Sequence, residues 1–160
     1  MSNLTMTAEP GRQEIFTVYE LDAPRELVYK VMTEPSLTGE WWGPADLTTK
    51  VEMMDVRPGG MWRVVQRDPT GAEYVFHGVY HTLRYPERII YTFEWEAMPD
   101  HVLLETFVLE DLPGNRTRVT EQSLYQSVAD RDGMLATGMQ DGAVEMVKRL
   151  SDLLTRVAAR

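Results

Sequence analysis

From Thr48 to Tyr125 apolar residues recur mostly at every second position. The alternation stops at five clusters of turn residues: Pro58-Gly59-Gly60, Asp68-Pro69-Thr70-Gly71, Tyr85-Pro86-Glu87, Met98-Pro99-Asp100 and Pro113-Gly114-Asn115. A period of two puts alternate side chains on opposite faces of a strand. Proline and glycine supply the fixed or positive φ angles of tight turns. The pattern predicts six strands, at 48–56, 60–67, 73–83, 88–95, 101–109 and 116–125. Connections this short join antiparallel neighbours.

The flanking segments have other periods. Residues 14–21 (EIFTVYEL) are rich in β-branched and aromatic side chains and read as a further strand. Asp22-Ala23-Pro24 opens a helix, with Asp22 placed as its cap and Pro24 in its first turn. Leu27, Val28 and Val31 form its apolar stripe, and Thr33-Glu34-Pro35 ends it. A short helical turn over 36–40 then delivers Trp41-Trp42-Gly43-Pro44. Residues 132–158 carry Leu135, Met139, Met146, Leu150, Leu153, Leu154 and Val157 on one side. They predict a single amphipathic helix, roughly 40 Å long at 1.5 Å per residue. Gly138 and Gly142 lie on it. The fold class is α+β. A meander has one apolar face, and the long C-terminal helix is its natural cover. The expectation is a curved antiparallel sheet of six to seven strands wrapped around that helix, with short helices after the first strand and space between sheet and helix.

Composition narrows the function. A chain of 160 residues makes one domain, read as 13–160 behind a flexible tail at 1–12. The net charge of −9, with no clustered Lys or Arg, disfavours nucleic acid. There is no cysteine, hence no disulfide and no thiolate site. No apolar run suits membrane insertion, and 1–12 lacks a basic-then-apolar leader pattern, so a cytoplasmic location is expected.

Strand parity then selects candidate chemistry. It groups Trp62 with Val64; His77, Val79 and His81 with Leu83; Ile89, Tyr91 and Phe93 with Trp95; Leu103, Glu105 and Phe107 with Leu109; and Val119 with Glu121. Taken as inward faces, these sets place His77, His81, Glu105 and Glu121 among aromatic rings. Isolated buried charges must pair, take up a proton or meet a ligand. Three readings follow: the polar end of an apolar pocket, a His–Glu acid/base pair, or a purely structural place as a buried His–Glu hydrogen bond or as strand ends that reach solvent. A metal at His77 and His81 is excluded, because four residues of strand separate them by roughly 13 Å. No Gly-x-Ser-x-Gly elbow and no phosphate-binding glycine loop occurs. One ring of Trp41-Trp42 is expected to close the core and the other to sit at a cavity mouth.

Ala23-Pro24, Pro35, Trp41-Trp42-Gly43-Pro44, Asp55-x-Arg57-x-Gly59-Gly60, Gly71 and Gly78, in this order of elements, resemble the START-like (SRPBCC) superfamily. Within it they resemble the bacterial branch named after the activator of a heat-shock chaperone's ATPase. The resemblance spans residues 14–154. It implies a helix-grip fold with a hydrophobic cavity between sheet and C-terminal helix. Members bind lipids, polyketides or other apolar molecules, and a minority are cyclases or hydrolases. One departure stands out: many members carry tryptophan where this chain has Ala143, after Gly142. That predicts a larger or reshaped cavity, or a gap filled by one of the ten methionines. The candidate ligand-binding residues are Trp41, Trp42, Trp62, His77, His81, Tyr91, Trp95, Glu105, Phe107, Glu121, Met139, Ala143 and Met146. The expected partner is an apolar or aromatic small molecule, with no metal and no cofactor, and a homodimer is plausible. An enzyme using the same cavity and a chaperone-regulating interaction module are the alternatives.

Overall fold

A computed structural model describes residues 4–160. The elements in chain order are β1 (Thr5–Thr7), β2 (Glu14–Leu21), α1 (Arg25–Thr33), α2 (Pro35–Thr38), β3 (Thr48–Met54), β4 (Met61–Arg67), β5 (Glu73–Arg84), β6 (Arg88–Trp95), β7 (Val102–Leu112), β8 (Arg116–Leu124), α3 (Val128–Leu135) and α4 (Met139–Ala158). The strands form one antiparallel sheet in the order β1-β2-β8-β7-β6-β5-β4-β3. Strands β3 to β8 pair in sequence order, as their short turns require. Strand β2 closes against β8 through eight residue pairs, from Glu14 opposite Leu124 to Leu21 opposite Thr117.

Helix α4 packs Val147, Leu150, Leu153 and Leu154 into the concave side of the sheet. There they meet Tyr19 and Leu21 of β2, Ile89 of β6, Phe107 and Leu109 of β7 and Val119 of β8. Val28 and Val31 of α1 seal the same core. Leu153 and Val119 are fully buried, each worth about 1.5–3 kcal/mol of transfer free energy.

The structure departs from the sequence expectations in three places that shape the site. First, the expected C-terminal helix is two helices. Gly138 has φ +77° and caps the start of α4, so the chain turns at 136–138. A left-handed residue cannot continue a right-handed helix. Ser127 accepts a hydrogen bond from the Asp130 amide at 3.0 Å and starts α3 earlier than expected. Second, Thr5–Thr7, expected in a loose tail, pairs with Phe16, Thr17 and Val18 and adds an eighth strand; residues 1–3 of that tail lie outside the described residues. Buried Arg131 of α3 supports this end by donating to the carbonyls of Glu9 and Glu14. Third, β5 carries a bulge: Tyr80 pairs with Tyr91 and Thr82 with Ile90, leaving His81 as an extra residue. A bulge reverses the parity of everything on one side of it. Counting back from inward Leu83 therefore assigns the wrong face to His77, Val79 and His81.

Candidate functional site

Between the sheet and α4 lies a cavity of about 310 Å³. It forms because α4 starts with small residues. Gly142 and Ala143 line it where a larger side chain would enter it, and Met139 and Met146 flank them. Tyr91 and Phe93 of β6, Leu103 and Phe107 of β7 and Phe76 of β5 make its apolar walls. Trp41, Trp42, Gly43 and Pro44 form the loop over one side. Trp42 stacks edge-on to Phe76 at 5.5 Å and Trp62 at 6.2 Å. Aromatic pairs at such separations are favourable beyond their buried area.

The loop is held to α4 by polar contacts. The Arg149 guanidinium donates to the carbonyls of Glu40 (3.2 Å), Trp42 (3.3 Å), Gly43 (2.7 Å) and Pro44 (3.2 Å). Glu145 accepts the Ala45 amide at 2.7 Å, and Met146 Sδ accepts the Gly43 amide at 3.3 Å. An exposed loop gains definition when its backbone groups have such partners.

A carboxyl pair occupies the β7–β8 side of the cavity. Glu105 sits opposite Ser123 in the ladder, and Glu121 sits opposite Phe107, so the two carboxyls are diagonal neighbours on one face. The Ser123 hydroxyl donates to Glu105, with distances of 3.0 and 2.9 Å to its two oxygens. Burial pushes the Glu105 carboxyl well above the usual carboxylate range; the Glu121 charge and hydrogen bond add to this, and Ser123 opposes it. Burial also raises Glu121, while its hydrogen bond with Glu105 lowers it. The two buried carboxyls therefore titrate as a pair, and burial favours a proton shared between them. Buried Tyr19 and Tyr91 stay protonated: burial raises both hydroxyls, and the two glutamates add to it.

Of the candidate residues, Trp41, Trp42, Tyr91, Glu105, Phe107, Glu121, Met139, Ala143 and Met146 surround this cavity. Trp62 stands behind Trp42, in an adjoining chamber of about 40 Å³. Its indole donates to the Thr92 carbonyl at 3.2 Å across Gly78, where any side chain would collide with that carbonyl. Trp95, at the last position of β6, does not reach the cavity.

His77 and His81 are corrections. Both lie on the convex face, for the parity reason given above. His77 bonds Glu94 at 3.1 Å and Glu96 at 3.0 Å, and Arg63 binds the same Glu96. His81 is exposed beside Thr82. The expected His–Glu pair inside the sheet is thus a Glu–Glu pair. Phe76 takes the inward place that parity had assigned to His77. Thr17, Tyr19, Gln66, Ser123 and Tyr125 also line the cavity. Ser123 and Tyr125 share parity with Glu121, so alternation could have found them. Gln66 is buried and donates to the Trp42 carbonyl at 3.4 Å, a contact with no signature in sequence.

The sequence pattern of the family described as Activator of Hsp90 ATPase homolog 1-like protein matches residues 22–155. The chain belongs to that family. Its helix-grip architecture is the START-like one, a fold of ligand-binding type. Proteins of the same fold are solved for several bacteria. A protein of Arthrobacter aurescens superposes with a TM-score of 0.87 at 23% identity, covering 95% of this chain and 91% of that one. A Rhodobacter sphaeroides protein gives 0.87 at 20% identity, with 96% and 99% covered. One from Mycobacterium smegmatis gives 0.84 at 21%, with 95% and 97% covered. At these identities the likeness establishes the fold. No curated protein matches the chain. Among the described residues, no helix is long and apolar enough to cross a membrane.

Proposed function

We propose that this protein binds an apolar or aromatic small molecule in the cavity between the sheet and α4. The observation that carries this reading is the cavity itself: about 310 Å³, walled mainly by aromatic and methionine side chains, with a few convergent polar groups at one side. Pockets of this size and lining hold small ligands. Gly142 and Ala143 keep α4 from filling it, and methionine adapts to varied shapes. The loop of Trp41 and Trp42 supplies rigid aromatic surface over the ligand.

Native mass spectrometry of protein purified from its own host, followed by denaturing extraction, identifies a bound molecule directly. Calorimetry with octanol tests the cavity independently. A ligand at 100 times its dissociation constant adds about 2.7 kcal/mol to stability. Ala143→Trp places an indole in the cavity, so octanol affinity should fall by about tenfold or more while the fold persists. Equal octanol affinity in the wild type and this variant would refute the cavity as the site.

A further inference from the structure

Among the described residues, Glu105 and Glu121 are the only charged groups lining the cavity. The elements around the pair bring it no cation: β2 presents Thr17 and Tyr19, β6 presents Tyr91, and β8 presents Ser123 and Tyr125. The lining part of α4 and the loop before β3 contribute no Lys, Arg or His. Paired carboxyls are a costly lining for an apolar cavity unless something cationic offsets them. The same cavity exposes the faces or edges of several aromatic rings, and ring faces attract cations. A second observation is independent of the acids. Trp41 is 7% exposed and lines the cavity, and its buried Nε1 has no hydrogen-bond partner in the protein. A buried donor without a partner is rare, and this one belongs to a ring that forms part of the cavity wall.

We propose that the ligand is a protonated amine with an apolar or aromatic body, its ammonium group held between Glu105 and Glu121. This rests on the cavity reading and specifies what the cavity selects. When the ammonium enters, the shared proton of the pair leaves to solvent, so the two carboxylates face the cation. That carboxyl O–H is the one bond broken, its proton passing to water or buffer.

Three probes of one chain length separate the possibilities: octylamine, octanol and octanoate, titrated by calorimetry in two buffers of different ionisation enthalpy. At neutral pH octylamine should bind at least about tenfold tighter than octanol, as expected for a desolvated cation among rings and carboxylates. It should release a proton to the buffer, which octanol should not, and octanoate should bind weakest. The net charge of −9 draws any cation towards the surface. The double variant Glu105→Gln with Glu121→Gln remains strongly acidic and isolates the cavity's contribution. In it the preference for amine over alcohol should vanish, while octanol affinity is kept and reports an intact fold. If octanol binds the wild type and octylamine binds no better, the amine proposal falls and the cavity reading stands. The same holds if the preference survives in the double variant. If none of the three binds, both fall.

Discussion

Glu105 offers a test of the buried carboxyl pair through stability alone. Its carboxyl is held above the usual carboxylate range by burial, then by Glu121, so the folded protein keeps a proton that the unfolded chain loses near pH 4.3. Where the folded state binds more protons than the unfolded state, stability falls as pH rises. The contribution is fully present below the unfolded pKa and is lost as pH climbs towards the folded one. One retained proton costs about 1.4 kcal/mol per pH unit over that interval. For a chain of this length about 1 kcal/mol moves the melting temperature by 2–4 °C. Two pH units should therefore cost the wild type up to about 11 °C through this one group. The double variant Glu105→Gln with Glu121→Gln keeps the shape, accepts from Ser123 and never ionises, and it leaves no Glu121, which burial also raises, to keep the proton in its place. His101 also loses stabilisation with rising pH, since Asp130 holds its pKa up, but it does so equally in both proteins. The same cancellation applies to Tyr19, Tyr91 and Tyr125, whose hydroxyls burial raises. The quantity to follow is the melting temperature of the variant minus that of the wild type, by calorimetry from about pH 5 to about pH 8. It should grow in the variant's favour with pH. A flat difference would refute the shared buried proton.

Two further outcomes follow from the framework of the cavity. In Gly78→Ala the new methyl group would lie 1.8 Å from the Thr92 carbonyl oxygen and 2.6 Å from Trp62 Nε1. Strands β5 and β6 must part and the indole must release that carbonyl, a loss of about 2–4 kcal/mol in denaturant unfolding; a loss below about 1 kcal/mol would count against the packing described. Arg149→Met keeps the side-chain stem but removes the donors to four loop carbonyls. Amide exchange at 41–45 should quicken by about tenfold or more, and unchanged exchange would show that the loop is held by its tryptophans alone.

Much of this fold is written locally. Strand β6 begins and ends where its alternation and turn residues place it, and β4, β5 and β8 differ from expectation by a residue or so at their ends. Period, turn chemistry and the need to bury one face are properties of short segments, so a single chain displays them. The aromatic and methionine side of the cavity was legible for the same reason: inward parity on β6 and β7 and the stripe of α4 both run without interruption, whereas Ala143 was reached only through the family resemblance. So was the Glu105–Glu121 face, because β7 and β8 carry no bulge.

What only the tertiary structure decided is where local rules meet. The extra residue at His81 is set by how β5 fits β6, and one such residue moves His77 from the cavity to the convex face. Gly138 breaks the helix where a helical stripe continues on both sides, because the chain must turn there to bring α4 under the sheet. The proton shared by Glu105 and Glu121 exists only because adjacent strands place two acids in one apolar space without a cation. Arg149 clasps a loop more than a hundred residues away. Periodicity determines which face of an element is apolar; register, bulges and long-range contacts determine what that face meets, and the chemistry of the site is decided by what it meets.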